Sequence, residues 1–150
     1  MNDSLPHITI STTDTAILPL VRRFFQSQGM RAQAAKNDEV IIARDSQTTA
    51  QKIIAALRLC PYEDSWLLRS MSVDQEYQRR GIGLKMLLEN QQSLKEKDCY
   101  CFPYRHLQGF YQKAGFKLIH NDDASPVIQQ LFQQYLDSGK DIILMRIITD

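Results

Sequence analysis

The sequence predicts an α+β fold, a mixed β-sheet flanked by helices, and three observations carry that prediction. Two β-rich runs, Glu39 to Arg44 and Ile53 to Leu59, flank a polar connection, Asp45-Ser46-Gln47-Thr48-Thr49, as in an antiparallel hairpin. A third extended run, Trp66 to Val73, leads through a glycine-containing loop into a helical run, Leu84 to Lys95, and on to a strand, Asp98 to Phe102. Strand, helix, strand is a βαβ unit, with parallel pairing and a right-handed crossover. Both kinds of pairing in one chain make the sheet mixed, and the amphipathic helices cover its faces.

The other elements follow in order. His7 to Ile10 alternates like a short strand, and Ser11-Thr12-Thr13-Asp14 supplies helix N-cap candidates. Ile17, Leu20, Val21, Phe24 and Phe25 form one apolar helical stripe. Pro19 is tolerated only in a first turn, so this helix starts late, and Gln28-Gly29 ends it. Cys60-Pro61-Tyr62-Glu63-Asp64 connects the second and third extended runs. In the crossover helix Leu84, Leu87, Leu88 and Leu94 mark the apolar face. After Pro103 a short helix runs from His106 to Lys113, closed by Ala114-Gly115, and Phe116 to His120 is extended. Pro126 to Ser138 is a helix with Pro126 at its start and Gly139 after its end, and Asp141 to Ile147 is the last strand.

A chain of 150 residues with 43% hydrophobic content is expected to form one domain, residues 1–150, with a substantial core. Net charge is +1, which argues against a broad surface for nucleic acid or anionic membrane. Met1-Asn2-Asp3-Ser4-Leu5-Pro6 lacks the pattern of a signal peptide, and no apolar run is long enough to span a bilayer, so the expected location is cytoplasmic. The three cysteines, Cys60, Cys99 and Cys101, read as buried reduced thiols, since a single Cys-x-Cys without further Cys or His ligands is weak evidence for a metal.

The stretch richest in chemistry is Gln78-Arg79-Arg80-Gly81-Ile82-Gly83, at the strand-to-helix passage. Glycines let the backbone turn sharply and approach a ligand closely. The first amides of a helix lack internal partners and sit at the positive end of its dipole, so the loop reads as a nest for an anion, above all a phosphate. A tight turn with no ligand has the same look. Two nucleotide-binding alternatives fail. A dinucleotide fingerprint needs a third glycine where Met86 stands, and a Walker loop needs Gly-Lys-Ser/Thr where the chain has Gly83-Leu84-Lys85-Met86.

The strand Leu68-Arg69-Ser70-Met71-Ser72-Val73, then Asp74-Gln75-Glu76-Tyr77, then Gln78 to Gly83 and a helix resembles the acetyl-CoA-binding motif of the GNAT superfamily of N-acetyltransferases, Arg/Gln-x-x-Gly-x-Gly/Ala. Phe110-Tyr111-Gln112-Lys113-Ala114-Gly115-Phe116 is similar to that family's Tyr-x-Lys-x-Gly-Phe. The resemblance implies a metal-independent acetyltransferase that takes its acetyl group from acetyl-CoA. It assigns the pyrophosphate of coenzyme A to Gln78, Arg79, Arg80, Gly81, Ile82 and Gly83. It assigns the pantetheine arm to the backbone of Met71, Ser72 and Val73, with a bulge in that strand and a splayed neighbour. Tyr111 is the implied general acid for the departing thiolate, and a phenol is protonated at neutral pH; a helix tyrosine that only packs its ring is the plainer reading. The chain departs from the family at Tyr104, where many members have Asn, and at Leu67, where many have an acid. Candidate bases are then Glu63, Asp64, His106 or a water chain. Arg69 either meets an acidic acceptor or faces solvent. The helix from Pro126 walls the acceptor site, forms a dimer face or simply packs on the core. The expected acceptor is the primary amine of a small molecule or amino-acid-like compound. A peptide or protein acceptor, a longer acyl group, and a non-catalytic acyl-CoA-binding protein are the alternatives, and a homodimer fits the family habit.

Overall fold

The computed structural model describes residue 5 and residues 7–13, 15–30 and 34–148. Among the described residues the strands are β1 (Ile8–Thr13), β2 (Glu39–Asp45), β3 (Ile53–Tyr62), β4 (Ser65–Val73), β5 (Cys99–Cys101), β6 (Phe116–Leu118) and β7 (Met145–Ile147). Its helices are α1 (Leu18–Ser27), α2 (Ile82–Glu89), α3 (Gln91–Glu96), α4 (Gln108–Lys113) and α5 (Pro126–Asp137). Hydrogen bonding orders the strands β1-β2-β3-β4-β5-β7-β6 in a mixed sheet. The chain divides into two compact units, Met1–Leu59 with Ser70–Met86 and Cys60–Arg69 with Leu87–Asp150, so β3, β4 and α2 each contribute to both.

In the first unit β1 and β2 are antiparallel from Ile8↔Asp45 to Thr13↔Val40. Ser11, Thr12 and Thr13 therefore lie in the strand and do not cap a helix. Their β-branched or small side chains suit a paired strand, while Asp14 lies outside the described residues, as do Met1–Ser4 and Pro6. A helical turn at Thr15–Ile17 then leads into α1. Pro19 occupies the first turn of α1, where no amide partner is lost, and Gly29 follows the helix at φ 75°. Val21, Phe24 and Phe25 of α1 pack on Val40, Ile42 and Ala56. Leu20 is 44% exposed and leaves the stripe; Leu18 replaces it in the core. The β2–β3 connection is the expected hairpin, with the Gln47 amide donating to Asp45 Oδ1 at 2.9 Å and Thr48 Oγ1 to the Asp45 carbonyl at 2.8 Å.

In the second unit β4 and β5 run parallel from Trp66↔Cys99 to Leu68↔Cys101, and β7 lies antiparallel between β5 and β6. β3 continues through Cys60, Pro61 and Tyr62, so the turn into β4 is only Glu63-Asp64, with Glu63 at φ 56°. The crossover helix is two helices broken at Asn90, which sits at φ −108°, ψ 13°. Asn competes for its own backbone and is a poor helix interior residue. The last strand is shorter than the run Asp141 to Ile147. Pro103 ends the regular β5 ladder, and residues before Met145 are tied in by a Tyr104↔Ile142 bridge and by isolated backbone bonds, among them one of 2.9 Å from the Ile143 amide to the Pro103 carbonyl and one of 3.2 Å from the Ile119 amide to the Leu144 carbonyl. α5 buries Ile128 against Leu67, Tyr100, Ala124 and Leu144, which makes its apolar stripe a core stripe. All three cysteines are buried and none is in a disulfide. Burial pushes the Cys99 thiol up to about 12 and the Cys101 thiol well above its ordinary value.

Candidate active site

The backbone of β4 carries the first unusual feature. Ser70 sits at φ 60° inside the strand, a conformation that β-branched and bulky residues avoid. The distortion falls one residue before Met71, Ser72 and Val73, the segment expected to meet a pantetheine arm. Arg58 of β3 holds it. Its Nε and Nη2 donate to Ser70 Oγ at 3.2 and 3.1 Å, while Nη1 reaches Asp38 Oδ2 at 3.1 Å. The pair is desolvated, with the Arg58 and Asp38 side chains 11% and 6% exposed. Met71, Ser72 and Val73 are themselves half-buried.

The loop after β4 is built from the same unit. Asp74 Oδ1 accepts from the Glu76 amide at 2.9 Å and starts a helical turn at Gln75–Tyr77. The Tyr77 hydroxyl donates to Asp45 Oδ2 at 2.6 Å, tying the loop to the β2–β3 hairpin. That bond first, and the Gln47 amide second, hold the Asp45 carboxyl below the usual range, and the same bond raises the Tyr77 phenol. The Arg80 guanidinium lies 5.2 Å from the Tyr77 ring centre and donates to the Glu76 carbonyl at 3.0 Å. Gln78 Nε2 donates to the Val73 carbonyl at 2.9 Å. Arg79 and Gly81 have φ 66° and 80°, and both are exposed. A Cβ placed on Gly81 would meet nothing within 4 Å. The loop thus leaves open space over a backbone that turns into the N-terminus of α2, where Gly83 is already helical. Alternating left- and right-handed residues aim successive amides at one point. Gln78, Arg79, Arg80, Gly81, Ile82 and Gly83 all belong to this loop, and the Ile82 side chain is buried.

Tyr111 is in the second unit, on α4. It is 7% exposed, with its ring edge-on to Phe110 at 5.0 Å and to Phe116 at 5.8 Å. Burial first, then the neighbouring Cys101 and Cys99 thiols, push its phenol well above its ordinary value. The group is a proton donor throughout the neutral range. Gly115, at φ 103°, closes α4; a Cβ there would stand 2.5 Å from Gln91 Nε2, which donates to the Ala114 carbonyl at 2.9 Å. The Gly-Phe step therefore lets α3 and α4 meet.

The remaining expected residues are scattered. Glu63, Asp64 and His106 are exposed, His106 is stacked on the exposed Tyr104 at 6.2 Å, and Leu67 is core. Arg69 does not face solvent freely: it is half-buried, Nη1 donates to the Tyr62 hydroxyl at 3.0 Å and Nη2 to the Tyr135 hydroxyl. Neither the Arg58–Asp38 pair nor the Tyr77–Asp45 bond has a motif in the sequence. Only Asp74, two residues before Glu76, has a local signature, that of a capping aspartate. Among the described residues no group of three His, Cys, Asp or Glu side chains could hold a metal, and no helix is long and apolar enough to cross a membrane.

The family model for the acetyltransferase (GNAT) domain matches residues 36–118, more than half of the chain. The chain belongs to the GNAT family. The match spans β2 to β6 and so takes in the distorted β4, the loop and Tyr111. As a GNAT protein it is an acetyl-CoA-dependent N-acetyltransferase by family. No curated protein sequence matches it. Among solved structures it is similar to a GNAT acetyltransferase of Staphylococcus aureus Mu50, at 17% identity and TM-score 0.63 over 95% of this chain and 99% of that one. It is similar to the ribosomal-protein-S18-alanine N-acetyltransferase of Escherichia coli, at 18% identity and TM-score 0.61 over 95% and 96% of the two chains. It also resembles N-acetylglutamate synthase of Neisseria gonorrhoeae, complexed with coenzyme A and N-acetyl-glutamate, at 11% identity and TM-score 0.63, covering 95% of this chain and 35% of the synthase. At these identities the likeness is one of fold.

Proposed function

We propose that the protein transfers an acetyl group from acetyl-CoA to the primary amine of a small molecule or amino-acid-like acceptor in the cytoplasm, with residues 1–150 acting as one catalytic domain. The observation that carries this reading is the loop at the start of α2, open above Gly81 and left-handed at Arg79 and Gly81. Acetyl-CoA, when bound, supplies the acyl thioester. The amides of the Gln78 to Gly83 loop, with Arg79 and Arg80, hold its diphosphate. The backbone of Met71, Ser72 and Val73 lines up the pantetheine arm, and the Ser70 distortion frees that backbone from the sheet pattern. The amine nitrogen bonds to the acyl carbon as the carbon–sulfur bond breaks; Tyr111 gives its phenol proton to the departing sulfur, and the proton that the nitrogen loses returns to the phenol through solvent. Direct attack by the amine, with both substrates bound together, agrees with the cysteines. Cys99 and Cys101 are buried with raised pKa values, so neither is the thiolate that an acyl-enzyme route would need.

The test is incubation with acetyl-CoA and a panel of amines, following release of the CoA thiol. At least one small amine is expected to drive release above the solvent rate. The exposed positions of Glu63, Asp64 and His106 and the core position of Leu67 favour a second reading, an acyl-CoA-binding protein without turnover. Calorimetry separates the two: tight CoA binding with no acceptor-dependent thiol release establishes the second and overturns the first.

A further inference from the structure

We propose that Arg69, with the hydroxyls of Tyr62 and Tyr135, binds a carboxylate of the acceptor, which makes the acceptor a free amino acid or another amine that carries a carboxylate. This deepens the acetyltransferase reading above and rests on it for the word acceptor.

Arg69 follows directly on Leu68, whose pairing with Cys101 is the last of the parallel β4–β5 ladder. It therefore emerges at the carboxyl end of parallel strands, where open sheets collect their ligands. The groups it bonds are neutral. The guanidinium donates to the Tyr62 hydroxyl and to the Tyr135 hydroxyl, and its carbon lies 5.7 Å from the Tyr135 ring centre. Other arginines of this chain lie against carboxylates: Arg58 against Asp38, Arg105 against Asp141, Arg146 against Asp98. Among the described residues no carboxylate lies within ion-pair distance of Arg69. A second cation, Lys140, has its Nζ 5.9 Å from the same Tyr135 ring.

The bonding leaves a set of donors with one sense. A guanidinium has five N–H donors and no acceptor, and two are used here. Each phenol oxygen accepts from Arg69, which leaves its own O–H proton to donate, and among the described residues neither proton has an acceptor. Guanidinium and two hydroxyls together present only donors, half-buried and beside a lysine. A planar carboxylate satisfies them, taking two N–H bonds in the fork and one O–H bond from each side. A neutral amine or an alcohol offers the fork at most one acceptor atom and no charge.

The experiment uses the CoA-loaded full chain and calorimetry. The probes are N-acetyl-L-alanine, N-acetyl-L-glutamine and N-acetyl-L-phenylalanine, each beside its primary amide. At least one acid should bind about tenfold or more tighter than its amide, the scale of one charge-assisted fork. Arg69→Gln should abolish that ratio, and Arg69→Lys should keep part of it, since a lysine retains the charge without the fork. Tyr135→Phe should lower the ratio severalfold with the fold intact, and it carries the comparison if Arg69→Gln does not fold. Equal binding of acid and amide, no binding of any acid to the wild type, or an equal loss of both in the variants would overturn the proposal. Failure of the acetyltransferase reading looks different: carboxylate preference persists in the titration while no amine drives thiol release.

Discussion

Replacing Tyr111 by Phe removes one oxygen and little else. The ring keeps its edge contacts with Phe110 and Phe116, and the site is 7% exposed, so the variant should fold with a stability change of about 1 kcal/mol or less. The catalytic cost follows from matching acid to leaving group. A general acid typically contributes about 10²–10⁴-fold. Here the leaving thiolate belongs to a thiol of pKa about 8.5, itself stable near neutrality. The donor is also weak, because burial beside Cys101 and Cys99 has raised the phenol. Both facts put Tyr111 at the low end of the range, about 10²-fold or roughly 2.7 kcal/mol of barrier. Steady-state thiol release at saturating acetyl-CoA should give a kcat lowered by that factor, with KM for acetyl-CoA little changed. The wild-type pH profile adds a check. The protonated phenol is the working form and its pKa is raised, so no loss of rate from Tyr111 ionisation should begin below about pH 10. A kcat within twofold of wild type would refute the acid role. A raised KM at unchanged kcat would recast Tyr111 as a binding residue.

Further predictions concern the first unit. Gly81→Ala places a methyl in open space at φ 80°; it should cost about 1–2 kcal/mol in backbone strain and weaken CoA by about tenfold or more, and unchanged CoA affinity by calorimetry would remove the loop from the diphosphate site. Asp38→Ala takes the carboxylate from the desolvated Arg58, and denaturant unfolding should report a loss of about 3 kcal/mol, the low end for a broken buried pair because the Ser70 hydroxyl remains; a loss below about 1 kcal/mol would refute the role given to the pair. Tyr77→Phe removes the largest cause of the lowered Asp45 pKa. A depressed carboxyl contributes stability that is present above its unfolded value near 3.9 and lost as pH falls through the folded one. The Tm gap between wild type and variant should therefore be widest near neutrality and close on acidification below about pH 4. A gap that stays constant into acid would mean the bond does not couple to Asp45 ionisation.

Much of the fold was legible because it rests on local patterns. The α1 stripe, the β2–β3 hairpin, the βαβ unit and the Pro126 helix each carry their own periodicity and punctuation. The errors fell where pairing overrides propensity. Ser11 to Thr13 have the residues of a cap but are held by a ladder to Val40, Ile41 and Ile42. The run Asp141 to Ile147 has the composition of a long strand, but Pro103 denies it a regular partner. Of the candidate site, the glycine loop and Tyr111 were readable as motifs. Their supports were not. Arg58 with Ser70 joins residues 12 apart, and Tyr77 with Asp45 joins residues 32 apart. Such contacts leave no spacing signature, since a side chain's partner across a sheet is set by register. Arg69 was ambiguous for the same reason, because Tyr135 lies 66 positions away.

The buried thiols have a practical corollary. Cys60, Cys99 and Cys101 are enclosed, and Cys99 and Cys101 have pKa values far above neutrality, so the folded chain should be nearly silent toward thiol reagents. Colour that grows with added acceptor counts turnovers. Colour that grows without it counts molecules that have opened, three sulfurs at a time. One reagent in one cuvette thus keeps two clocks, the enzyme's and its own unfolding.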